Sequence, residues 1–202
     1  MSFILTLLLL WPYFPGQLLV NSADPLYPPN ADRGGTAVFA VHFRSGAVDD
    51  VTCLSGQEPF SSSGQQALRQ WTFAPDATGK TLVMVCYRRP ELFAVGSPKQ
   101  ELTPSKSEAE LPFPTVVLEP AYPPNTTAQG AVVLRFEVAQ NGSIGRLKVI
   151  KNLGELTNAS VQALRGCRFI PARDRKGNPV SSEAYAVFVF RPPLLVPVQI
   201  KP

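Results

Sequence analysis

The chain has 202 residues, room for one or two domains with modest cores. Hydrophobic residues make up 45% and charged residues 17%, too apolar a mixture for a disordered chain even with 21 prolines. One histidine and three scattered cysteines exclude a disulfide framework and leave little material for a zinc site, and a formal charge of +4 is too small to announce nucleic-acid binding.

Residues 1–23 carry no charged side chain, and Phe3 to Trp11 is almost wholly apolar before Pro12, Pro15 and Gly16 interrupt it. A short apolar run followed by small residues predicts a signal peptide cleaved near Ser22 or Ala23. A membrane anchor is the alternative reading, and a buried strand or helix the third. Either of the first two places the remaining chain outside the cytoplasm, with membrane association only through an uncleaved N-terminus.

The next 170 or so residues repeat themselves. Tyr27-Pro28-Pro29-Asn30 recurs as Tyr122-Pro123-Pro124-Asn125, 95 positions on. Gly35 and Val38 match Gly130 and Val133 at the same offset, and Gly46 matches Gly142 at 96. Gln66-Ala67-Leu68-Arg69 recurs as Gln162-Ala163-Leu164-Arg165, Phe73-x-Pro75 as Phe169-x-Pro171, and Gly79 as Gly177. Six ordered landmarks predict two tandem domains, at 24–90 and 119–193, with a polar proline-bearing linker at 91–118 and a tail at 194–202.

In chain order, the first copy begins with a strand over Thr36–Arg44, a Ser45-Gly46 turn and a second strand over Ala47–Leu54. A short helix over Gly64–Gln70 follows, with Ser61 to Ser63 as N-cap oxygens, and Pro75 ends what comes after it. A last strand covers Thr81–Tyr87. The second copy reads likewise: Ala131–Val138, the stronger turn signal Asn141-Gly142, Ser143–Ile150, a helix over Ala159–Gly166 capped by Thr157 or Asn158, and Ala184–Phe190. The fold class expected is α+β: two tandem ββαβ domains, each a small antiparallel sheet with one covering helix.

This ordered set resembles the C-terminal domain of the TonB energy-transducer family. The residues that carry the resemblance in the second copy are Tyr122-Pro123, Gly130, Gly142, Ala163-Leu164, Phe169-Ile170-Pro171-Ala172 and Gly177-Asn178-Pro179-Val180. In the first copy they are Tyr27-Pro28, Gly35, Gly46, Ala67-Leu68, Trp71-Thr72-Phe73-Ala74-Pro75 and Gly79. The resemblance implies a periplasmic or secreted protein, or one anchored in the inner membrane, non-enzymatic and acting in the cell envelope, with a partner that is a protein or an extended peptide, such as an outer-membrane receptor segment. It implies no cofactor. Two departures stand out. The membrane-helix histidine of a complete TonB is missing, and the 91–118 linker reaches at most about 90 Å when extended.

The resemblance also points to the last strands, which in that family accept an extended peptide by strand addition. That makes Thr81, Val83, Val85 and Tyr87, and Ala184, Ala186, Phe188 and Phe190, the candidate binding positions. The competing expectation is that the other copy or the tail covers each edge.

Nothing in the sequence assembles a catalytic group or a metal site. His42 lies in a strand without a serine-elbow motif. Asp49 and Asp50 are neighbours on a strand and face opposite ways unless it bulges. Cys53 and Cys86 could form a bridge only if their strands meet closely. The charge is unevenly spread: residues 24–90 hold six basic and six acidic side chains, 91–118 two and four, and 119–202 eleven and five. Arg173, Arg175 and Lys176 form a basic patch in one loop of the second copy, read either as a solvated loop or as a steering surface for an anionic partner.

Overall fold

The computed structural model describes residues 18–29, 31, 33–88, 99–106, 108–123, 126 and 128–191. The hydrophobic run of Phe3 to Trp11 and the tail at 194–202 lie outside them. The first unit contains β1 (Leu19–Asn21), β2 (Gly35–Arg44), β3 (Ala47–Ser55), α1 (Phe60–Leu68), β4 (Thr72–Phe73) and β5 (Gly79–Tyr87). Then come β6 (Lys99–Glu101) and β7 (Phe113–Leu118). The second unit contains β8 (Gly130–Val138), β9 (Ile144–Lys151), α2 (Glu155–Gly166), β10 (Arg168–Ile170), β11 (Ala172–Arg173), β12 (Pro179–Val180) and β13 (Ser182–Phe190).

The two units share one eight-stranded sheet of order β1-β4-β3-β2-β5-β13-β8-β9. They meet through β5 and β13, which run parallel. Every other pairing in that sheet is antiparallel. The predicted picture of two separate sheets is therefore corrected at this seam. Its cause is visible in the composition of the strands. From Thr81 to Tyr87 and from Ala184 to Phe190 every residue is buried, so both faces of both strands are apolar, as interior strands require.

The seam also explains why the helices lie on opposite faces. Tyr87 sits opposite Gly35, and Phe190 opposite Gly130, so Tyr87 and Phe190 hold equivalent places in the two units. Across the seam, however, Tyr87 pairs with Val189. Residues level with each other in a parallel pair point to the same face, and successive residues alternate. A one-residue shift therefore sends equivalent side chains to opposite faces. Tyr87 joins Phe39, Val83, Phe60 and Leu68 under α1, whereas Phe190 joins Leu134, Phe188, Leu156 and Leu164 under α2.

Equivalent turns are built the same way. Gly46 and Gly142 both have positive φ, 79° and 78°. A Cβ at Gly46 would lie 2.7 Å from the Phe73 carbonyl oxygen, and one at Gly142 would lie 2.2 Å from that of Phe169. Only glycine satisfies both the backbone angle and the close approach. The Gly79–Gly177 match does not extend to position. Gly79 opens β5, whereas Gly177 turns the β11–β12 hairpin that the first unit lacks.

The Tyr-Pro-Pro-Asn repeat works across the seam. Arg88 follows β5 and sits over the Tyr122 ring at 5.6 Å, its Nε donating to the Pro120 carbonyl. Arg191 follows β13 and sits over the Tyr27 ring at 5.0 Å, its Nη1 donating to the carbonyls of Pro28, Pro29 and Ala31. Each unit thus supplies an arginine for the other unit's tyrosine, a desolvated cation over an aromatic face.

Three sequence expectations change here. Leu19 is buried at 1% exposure, the Leu18 carbonyl accepts from Ala74, and Trp71 Nε1 donates to the Ala23 carbonyl. The chain from Leu18 to Ala23 is thus part of the folded body, and processing at Ser22 or Ala23 would remove β1. The linker is also only partly a linker. β7 pairs with β6 and β10, and Leu111, Phe113 and Val117 enter the α2-side core. Finally, the helices start earlier than predicted, after Pro59 and Gly154, with no side-chain cap. Ser63 Oγ donates to the distant Leu26 carbonyl, and Thr157 Oγ1 accepts from the flanking Leu153 N–H, so these hydroxyls bond from within the first turn and do not cap it.

Candidate protein-interaction edge

The predicted binding strands are not edges. Thr81, Val83, Val85 and Tyr87 lie on β5 between β2 and β13, and Ala184, Ala186, Phe188 and Phe190 on β13 between β5 and β8. Their backbone groups are spent on neighbouring strands, so strand addition at either would require opening the seam. The competing expectation, that the other copy covers each edge, describes the geometry.

Open strand backbone lies instead at β3 and β9. The outer side of β3 meets β4 only at Ala47, and the rest is occupied piecemeal. Gln65 Nε2 donates to the Val51 carbonyl at 2.7 Å, and Ser105 donates to the Leu54 carbonyl through both its N–H and its hydroxyl. Asp49 is the extra residue of a bulge, because His42 faces Asp50 while Phe43 faces Val48. The bulge does not create an acid pair. Asp49 meets Arg44 at 3.6 Å, and Asp50 accepts from Thr52 at 2.8 Å. His42 is half-buried on β2 between Asp50 and Lys80, with no serine or cysteine opposite it.

β9, about as long as β3, differs from it in being uncapped. It pairs along one side with β8, and no strand among the described residues pairs with the other. Leu147 and Ile144 pack toward the α2 core, while Arg146, Lys148 and Val149 reach solvent, Val149 at 37% exposure. Arg146 pairs with Glu137 at 3.0 Å and Lys151 with Asp24 at 2.7 Å. Two clefts flank the strand. One, of about 600 Å³, runs from Asn141–Gly145 to Arg165 and Arg168, and the other, of about 330 Å³, is lined by Arg135, Phe136, Arg146, Leu147 and Lys148. Sequence reasoning placed a strand at Ser143–Ile150 but did not single it out as an edge. The signal was present in its lysines, since charged side chains mark exposed edges.

The basic loop turns between β11 and β12. Arg173 Nη1 donates to the Gly177 carbonyl at 2.7 Å, and Asp174 accepts from the N–H groups of Lys176 and Asn178. The Asn178 side-chain amide, which also donates to Asp174 at 3.1 Å, and these backbone N–H groups hold the Asp174 carboxyl below its ordinary pKa. Arg175 and Lys176 stand in solvent. Within this loop the hydrogen bonds are structural.

Cys53, Cys86 and Cys167 are free thiols. Cys53 packs with the α1-side core and Cys86 with the α2-side core, so the sheet itself separates the pair considered for a bridge. Among the described residues, no group of three or more His, Cys, Asp and Glu is placed to hold a metal ion.

A ββαβ unit whose single helix lies across a sheet, closed by a long last strand, defines a small α+β domain. Residues 119–192 match the family model described as the Gram-negative bacterial TonB protein C-terminal. That stretch of the chain is TonB C-terminal domain-like, and the match supports a TonB-like role in the envelope. No curated protein and no solved structure matches it significantly. No helix among the described residues is long and apolar enough to cross a membrane.

Proposed function

We propose that this chain is an exported, non-enzymatic protein that mediates protein–protein interaction in the cell envelope within TonB-dependent transport, and that its two units arose by tandem duplication. The duplication is supported by equivalent glycines on equivalent carbonyls and by the reciprocal Arg–Tyr contacts across the seam. The observation that carries the interaction reading is the uncapped eight-residue edge of β9 at one end of the sheet. Main-chain hydrogen bonds along such an edge supply affinity for an extended segment.

A second reading has its own support. Because the seam occupies the strands that the family uses for receptor peptides, the fold is also suited to an envelope-binding role without energy transduction. Titrating the isotopically labelled full chain with N-terminal segments of outer-membrane receptors separates the two. Under the transport reading, amide shifts gather in one strand and saturate. Receptor segments that move no sheet amide, while envelope polymers do, would establish the second reading.

A further inference from the structure

We propose that β9 accepts an acidic extended segment of a partner protein, which adds as a ninth strand to the sheet. This rests on the interaction reading above and names the chemistry of its partner. The edge offers strand backbone over Ile144–Lys151 with an exposed apolar position at Val149. Cations stand on both sides of it. Lys148 lines the cleft on one flank, and Arg165 and Arg168 line the cleft on the other. Among the described residues none of these three forms an ion pair with a carboxylate, whereas Glu137 and Asp24, the acids beside β9, are engaged by Arg146 and Lys151. Successive side chains of an added strand point to alternate faces. An incoming segment with acids spaced along it would therefore meet a cation on either face.

The alternative occupant, a second copy of this chain, is disfavoured by the same charges. β9 against β9 would set Arg146 and Lys148 near their own copies, and like charges across a strand pair repel. The bulges that interrupt the β8–β9 register further blunt self-pairing. β9 against the β3 edge of another molecule would match charges, but the Val51 and Leu54 carbonyls on β3 are already taken.

The test uses the full chain and three labelled peptides of about ten residues. One alternates Val or Thr with Glu, one carries Lys in place of Glu, and one is the acidic peptide with alternate residues replaced by Pro, which cannot donate to a ladder. The acidic peptide should bind, with amide shifts confined to Ile144–Lys151, and should weaken several-fold between about 50 and 200 mM salt. The Lys and Pro versions should each bind at least about tenfold more weakly, as should the acidic peptide to Lys148→Glu or Arg165→Glu, both surface changes. Equal binding of acidic and lysine peptides at β9 overturns this inference and leaves the interaction reading standing. Shifts in a different strand, or sedimentation of the free protein as a β9-paired dimer, also overturn it. If neither receptor segments nor any of these peptides move a sheet amide, both fail.

Discussion

Phe188→Ala tests whether the sheet is one cooperative body. Phe188 is fully buried on β13, opposite Cys86 on β5 and Val132 on β8, and it packs into the α2-side core. Truncating a phenylalanine there removes its transfer free energy and leaves a cavity, about 3–5 kcal/mol in all. With a urea slope of about 2 kcal/mol/M, the midpoint falls by about 2 M. The informative reporter is in the other unit. Trp71 lies on the opposite face with its ring 5.8 Å from Tyr185, and in a Trp11→Phe background it is the only tryptophan left. If β5 and β13 join the units, Trp71 fluorescence and far-UV circular dichroism should shift together in a single transition. A Trp71 transition that keeps its wild-type midpoint while the dichroism loses part of its amplitude at lower urea would refute the shared sheet. Phe188→Leu should show the same coincidence with a smaller loss.

Gly142→Ala should destabilise more than Gly46→Ala in thermal unfolding, since the added Cβ would lie 2.2 Å rather than 2.7 Å from a carbonyl oxygen, on top of a positive-φ cost of about 1–2 kcal/mol at each site. Arg191→Gln should lower stability by about 1 kcal/mol, the order of a partly shielded cation–π contact, and Arg191→Lys should recover part of that loss. Under native conditions an aromatic disulfide reagent should titrate one thiol per chain, at Cys53, and all three in denaturant. Burial disfavours the thiolate, raising Cys167 to about 11 and pushing Cys86 and Cys53 upward as well, so the native rate should still be climbing near about pH 9.

Much of the local structure was legible in the sequence because it follows from short-range chemistry. Ser45-Gly46 and Asn141-Gly142 announce turns through positive φ, and both hairpins form there. The helix starts were not legible. Seryl and threonyl oxygens are strong N-cap signals, but here Ser63 and Thr157 sit inside the helices, Ser63 bonding to the distant Leu26 carbonyl and Thr157 to the flanking Leu153 N–H. The 91–118 segment read as linker because its charge and prolines dominate the average. Its buried residues, Leu111 to Pro114 and Val117, all fall near its end, after the charged stretch that dominates the average.

The binding site was misplaced for a different reason. Reading each repeat alone leaves its last strand at an edge, and the resemblance then assigns peptide binding there. Yet an uninterrupted apolar run such as Ala184 to Phe190 is itself an argument against an edge, because a strand with one wet side cannot afford two apolar faces. Two copies that each carry such a strand can satisfy one another, and the one-residue offset between Tyr87–Val189 pairing and Tyr87–Phe190 equivalence lets them do so with one helix on each face. Once the last strands are consumed in this way, the second strand of the basic unit becomes the available edge. Part of the uneven charge of the two halves then acquires a location: Arg146, Lys148 and Lys151 lie on β9 and Arg165 and Arg168 line a cleft beside it, while the first unit's corresponding edge carries Asp49 and Asp50 and is capped. Pairing of the two last strands has in this way closed one pair of edges, and among the described residues β9 remains an open, cationic one.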